Sequence, residues 1–191
     1  MKVKPMIFNT EMVKALLDGR KTVTRRPAKN LSFSERMGFI VSDWAYGIGM
    51  DLRETMNNCI RSKSAKCPAQ IGDLLYVRET HGDAGVRLTY KADNDGAHCK
   101  VKRWIPSIHM PRSISRITLK VTDVRIEKLN DLRKSDEQVK KEGFENWPQF
   151  KHVWESIYGQ SNPNDYVWAI EFEVIHQNVD KYLSSLSLSE K

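Results

Sequence analysis

"RITLKVTDVRIEKL" (Arg116–Leu129) carries the strongest strand signal in the chain. Ile117, Leu119 and Val121 alternate with polar residues, the two-residue period of a strand with one buried face. The phase then slips to Val124 and Ile126, which predicts a bulge near Asp123. Working outward, "IGDLLYVRET" (Ile71–Thr80) predicts a turn at Gly72-Asp73 and a strand over Leu74–Thr80. Leu75, Val77 and Glu79 share one face of that strand, and Leu74, Tyr76 and Arg78 the other. "DYVWAIEFEVI" (Asp165–Ile175) alternates Trp168, Ile170, Phe172 and Val174 and predicts a last strand. A short first strand falls on Pro5–Phe8. Arg87–Lys91 and Val101–Ile105 are expected to pair as a hairpin, followed by an irregular stretch at Pro106–Ser115.

Helices fill the gaps. Asn9 or Thr10 can cap a helix whose apolar side is Met12, Val13, Leu16 and Leu17, and Gly19 is a natural stop. Asp131–Glu142 is polar and helical in character, ended by Gly143. Phe150, Val153, Trp154 and Ile157 lie at helical spacing before Gly159. Asn30–Gln70 mixes glycine, aromatics and charge without a clean period. It reads as an elaboration with a hairpin around Phe39–Tyr46. Gln177–Lys191 is polar and Ser-rich and reads as a flexible tail. About six strands and three helices suggest an α+β fold: a small mixed barrel with helices over its openings. One domain is expected over residues 1–176, with the elaboration at about 30–70 and the tail at 177–191.

The chain has 191 residues, is 40% hydrophobic, and carries a formal net charge of +7. That balance favours an anionic partner, nucleic acid before a membrane surface. The start, "MKVKPMIFNTEM", has too short an apolar run for a signal peptide, and no stretch approaches a membrane helix. Three cysteines, an odd number, argue against a secreted disulfide framework. A cytoplasmic protein, monomeric and without a cofactor, is expected. Cys59, Cys67 and Cys99, with His98 or His109, invite a zinc reading, but no Cys-x-x-Cys pair supports it, and no metal is expected.

"GRKTVTRR" (Gly19–Arg26) sets four cations and two threonines where the first helix ends and an extended segment begins. Clustered arginine and lysine usually sit in water, so a solvated basic turn is the plain alternative to any site there.

Taken in order, "ALLDGRKTVTRR", "GDLLYVRET", "IHMPR", "ITLKVTDVRIEKL" and "IYG…VWAIEFEV" resemble the ASCH domain family, and most of all its phage- and prophage-encoded branch. The resemblance spans most of Pro5–Ile175. It implies a PUA-like small β-barrel flanked by helices, and RNA binding. One compact bacterial branch hydrolyses 4-N-acetylcytidine to cytidine. Carried over from that branch, the catalytic lysine falls on Lys21, the nucleophilic threonine on Thr24 and the catalytic glutamate on Glu142. This chain departs from it in length and in carrying Arg25 where the small enzyme has an apolar residue.

The chemistry has its own requirements. A threonine hydroxyl needs a base to become a nucleophile. Lysine serves as that base when nearby cations disfavour its protonated form, and Arg20, Arg25 and Arg26 are close to Lys21 in sequence. Arg26 or a backbone N–H suits an oxyanion. In a regular strand Lys21 and Thr24 face opposite sides, so the chain must turn between them. Glu79 shares the inward face of its strand near a barrel end, or else forms an exposed ion pair with Arg78 or Arg112. His109 and Arg112 are candidates for phosphate or base contacts. Trp147, Trp154 and Trp168 read as core, whereas Trp44 and Trp104 are better placed to stack on bases.

Two readings follow. The first is a module that binds RNA or a modified nucleoside in a basic cleft formed by Lys21, Thr24, Arg25, Arg26 and Arg112. The second is an enzyme, either an amidohydrolase acting on 4-N-acylated cytidine or a ribonuclease.

Overall fold

The structure is a computed structural model and describes residues 1–28, 31–34, 38–41, 44–46, 67–85, 87–93, 100–159, 162 and 164–189. Among these the chain forms β1 (Val3–Ile7), α1 (Thr10–Leu17), β2 (Val23–Pro27), β3 (Leu31–Ser34), β4 (Gly38–Val41), β5 (Trp44–Tyr46), β6 (Leu74–Arg78), β7 (His81–Asp83), β8 (Leu88–Tyr90), β9 (Trp104–Ile105), β10 (Thr118–Lys128), α2 (Leu129–Arg133), α3 (Asp136–Lys141), α4 (Trp147–Tyr158), β11 (Tyr166–Ile175) and α5 (Val179–Ser189). The fold class is α+β. The largest sheet has five strands in the order β1-β6-β10-β11-β2. β1 runs parallel to β6, while β10 pairs antiparallel with β6 and β11 antiparallel with β2.

The strand that decides the fold behaves as its period predicts. Leu119 and Val121 are buried, Thr122 and Asp123 are not, and burial resumes one residue out of phase at Val124 and Ile126. β11 departs from simple alternation: every residue from Tyr166 to Ile170 is buried. Both faces of the strand are covered here. Val167, off the expected face, packs with Leu129, Leu132, Val139, Phe150 and Trp154.

The Cα positions divide into two compact units. The first comprises Met1–Thr22, Ile71–Thr122 and Phe172–Lys191, and the second Val23–Gln70 and Asp123–Glu171. In the first, the Asn9 side chain accepts the Met12 N–H at 2.8 Å and caps α1, whose Met12, Val13, Ala15 and Leu16 are buried. Gly19 ends the helix at φ +71°, a conformation that costs a residue with a Cβ. In the second, Asn146 caps α4, and the Phe150 and Trp154 rings pack along it, tilted by 32° with 5.6 Å between centroids.

Two expectations need correction. Arg87–Lys91 and Val101–Ile105 do not pair with each other. β8 and β9 flank β7 in a three-stranded sheet, β8-β7-β9. Gly82 in β7 makes this possible, because a Cβ there would sit 2.5 Å from Val101 Cγ1 and 3.0 Å from the Arg103 carbonyl. The hairpin at Phe39–Tyr46 is present as β4 and β5, with β3 added outside β4.

The second correction concerns the polar tail, which is helical over Val179–Ser189. Asn178 anchors it. Its Oδ1 accepts the Asp180 N–H at 2.9 Å, and its amide donates to the carbonyls of Arg112 at 3.0 Å and Ser115 at 2.7 Å. Val179 is fully buried. The Ser-rich composition hides this anchor.

Candidate functional site

"GRKTVTRR" is not a solvated turn. Lys21 and Thr24 have no exposed surface, and Arg25 keeps 2% of its own. The chain leaves α1 with the Gly19 N–H donating to the Leu16 carbonyl and the Lys21 N–H to the Ala15 carbonyl, both about 3 Å. β2 begins at Val23, so strand alternation does not extend back to Lys21. In the first unit the Lys21 ammonium lies 5.8 Å from the centre of the Phe8 ring. Arg20 is exposed and turned back on Asp18 at 2.8 Å.

In the second unit β2 presents Thr24 and Arg25 to opposite sides, and both sides are covered. Opposite Thr24 in the β11 register stands Ile170, and opposite Arg25 stands Ala169. The Thr24 hydroxyl accepts from the Arg26 guanidinium at 3.0 Å. Arg25 reaches three acceptors: Glu127 at 2.5 Å, Glu142 at 3.3 Å and the Gln138 side-chain oxygen at 3.0 Å. Glu142 caps the C-terminus of α3 and is 2% exposed. Arg125 extends the network, bonding Glu127 at 3.1 Å, Glu171 at 2.6 Å and Asp123 at 3.1 Å. Burial works against the Arg125 charge, but Glu171 and Glu127 outweigh it and hold its pKa above the ordinary value.

Its place between two carboxylates explains how the Arg25 guanidinium is tolerated out of water. Desolvation costs several kcal/mol per ion, and only paired, hydrogen-bonded partners offset that. Among the described residues no buried side-chain nitrogen or oxygen lacks a hydrogen-bond partner.

Glu79 is the centre of a separate cluster in the first unit. It is 1% exposed, so the exposed strand-end pair with Arg78 or Arg112 does not form. Its partner is Arg116, which donates to both carboxylate oxygens at 2.8 and 3.0 Å and to Asp93 at 2.5 and 2.9 Å. Burial pushes the Glu79 carboxyl above its ordinary value, more than Arg116 draws it down. The Arg116 guanidinium is desolvated too, but Glu79 and Asp93 raise its pKa overall. It also stacks 4.0 Å from the Tyr90 ring centre. Arg78 donates instead to the carbonyls of Met110, at 2.9 Å, and Ile108. Arg112 bonds both oxygens of Asp180.

His109 is exposed, in a short 3-10 turn over Ser107–His109. It lines a cleft of about 600 Å³ together with Asp83, Lys102, Arg103, Ile105 and Pro106. Trp154 and Trp168 are core residues, as expected, and Trp104 is half-buried. The side chain of Trp44 lies outside the described residues, as do Cys59, His98 and Cys99. Cys67 donates its thiol to the Ala69 carbonyl. Among the described residues no group of three or more His, Cys, Asp or Glu could hold a metal, and no helix is long and apolar enough to cross a membrane.

Sequence reasoning missed Arg116, Asp93, Glu127 and Gln138. Glu127 had a readable signal: after the phase slip, Arg125 and Glu127 alternate with Val124 and Ile126 and so share one face. Comparison with family models, known proteins and solved structures finds no match to this chain.

Proposed function

We propose that this chain is a PUA-like module of the ASCH type that binds RNA or a modified nucleoside. One observation carries the reading. The segment onto which that family's lysine and threonine carry over puts Lys21, Thr24 and Arg25 out of solvent. Burying an ammonium and a guanidinium is expensive, and a turn that needed only solubility would leave them in water. The net charge of +7 agrees with such a module.

Amide hydrolysis of a 4-N-acylated cytidine is the second reading, and a specific contact favours it. The Thr24 hydroxyl accepts a hydrogen bond from the Arg26 guanidinium, and a cation beside a hydroxyl stabilises its deprotonated, nucleophilic form. Its complete burial weighs on the other side, since a nucleophile must meet its substrate.

Two measurements separate the readings. Wild-type protein is titrated with single-stranded RNA across a salt series, and incubated with 4-N-acetylcytidine while cytidine is followed by chromatography. The binding-module reading expects salt-dependent binding and no cytidine. Cytidine formation that disappears in Thr24→Val would establish the hydrolase instead. Neither binding nor turnover would overturn both.

A further inference from the structure

Most cations of Gly19–Arg26 are withdrawn from phosphate. Lys21 and Arg25 are buried, Arg26 is half-buried and donates to the Thr24 hydroxyl and the Arg25 carbonyl, and Arg20 is paired with Asp18. Elsewhere Arg112, Arg116 and Arg125 are each bonded to carboxylates. Affinity for a polyanion comes from cations that release counterions when they meet phosphate, so they must be exposed and uncommitted. Lys100, Lys102 and Arg103 meet both conditions: all three are exposed, and no ion pair joins them to a described acid.

They are also held in place. Gly82 lets the 101–104 segment lie directly against β7, and β9 pairs Trp104 with Gly82 and Ile105 with His81. Lys102 and Arg103 therefore border the cleft described above, with Ile105 and Pro106 as its apolar wall and His109 at its edge. At about 600 Å³ the cleft falls in the size range of small-ligand sites, roughly 300–1,000 Å³. One acid, Asp83, also lines it, and its Oδ1 accepts the Gly85 N–H at 2.7 Å.

We propose that this cleft is the RNA-docking site, holding a single-stranded segment with its phosphates on Lys102 and Arg103 and an unstacked base against Ile105 and Pro106. A concave site with an apolar wall takes a base only when that base is free of a duplex, so the ligand is a single strand. The inference rests on the RNA-binding reading and names the surface that performs it.

The test uses the full chain and fluorescent oligouridylate. Dissociation constants are measured from about 50 to 200 mM salt, the span over which phosphate neutralisation shows its effect. Lys102→Gln/Arg103→Gln is compared with Lys134→Gln/Lys151→Gln, which removes the same charge from the second unit. Each phosphate that the protein no longer neutralises lowers the log–log salt slope by about 0.7 for a single strand. The first pair should therefore flatten the slope by about 1.4 and weaken binding, and the second should leave the slope unchanged. Ile105→Ala should weaken binding with no change of slope. Wild-type binding with equal slopes for both pairs overturns this inference and leaves the RNA-binding reading intact. Equal affinity for a duplex of the same length also overturns it. If the wild type binds no oligouridylate, the RNA-binding reading falls, and this inference with it.

Discussion

Gly19–Arg26 and Lys100–Arg103 are both short runs dense in positive charge, and they end in opposite environments. The first sends Lys21 and Arg25 out of water, and the second keeps Lys100, Lys102 and Arg103 in it. The difference lies in what each run meets. Arg25 sits on β2, opposite the small Ala169, and reaches the carboxylates of Glu127 and Glu142. The later run lies against Gly82 of β7 and meets no described carboxylate in an ion pair. Charge density along a sequence therefore does not decide burial; the availability of partners across the fold does.

The largest effect should come from removing the partner inside the core. Arg25→Met leaves Glu127 and Glu142 without the cation between them. Breaking a buried ion pair by deleting one partner costs about 3–5 kcal/mol. Urea unfolding should show the midpoint falling accordingly, and Arg25→Met/Glu142→Leu should recover part of the loss, since the two residues are coupled. A single variant as stable as wild type would break the comparison, because Arg25 would then behave like an exposed cation.

How far these environments were readable differs by residue. The strand at Thr118–Lys128 was legible down to its change of phase, because period alone fixes it. The Asn9 cap and the Gly19 stop were legible because both are local. The burial of Arg25 was not, since its acceptors lie 102 and 117 residues away in sequence. The same holds for Glu79, whose partner Arg116 is 37 residues on. The pairing of β7 between β8 and β9 was missed because nothing in "THGDAG" reads as a strand. Its determinant is the space Gly82 leaves for Val101 and Arg103, a property of two segments rather than one.

That space gives an intermediate effect. In Gly82→Ala the new methyl would lie 2.5 Å from Val101 Cγ1 and 3.0 Å from the Arg103 carbonyl oxygen. The side chain can turn aside, but the backbone must shift. Overpacking of this kind costs about 1–3 kcal/mol. The same variant should weaken oligouridylate binding, since it moves Lys102 and Arg103. Unchanged binding would mean that β7 does not position the exposed run, and half of the contrast would lose its structural cause.

The paired Arg25 lies in the second unit and the exposed run in the first, so a buried pair in the first unit separates pairing from location. Glu79 provides it, facing Arg116, Asp93 and His81. Because burial holds the Glu79 carboxyl above its ordinary value of 4.5, the folded chain binds more protons than the unfolded chain between that value and the raised one. The stability contributed by this group therefore falls as pH rises through that window, and returns on acidification. Glu79→Gln removes the titration while keeping a polar side chain. The stability of wild type relative to Glu79→Gln should thus increase as pH is lowered from 7 toward 4.5, with a slope bounded near 1.4 kcal/mol per pH unit for a single group. Urea melts of both proteins at matched pH values measure this directly. A difference that stays flat, or that shrinks on acidification, would mean that Arg116 overcomes the burial of Glu79. The pair would then owe its position to attraction alone, as an exposed pair does, and burial would no longer distinguish the paired charges of this protein from the free ones.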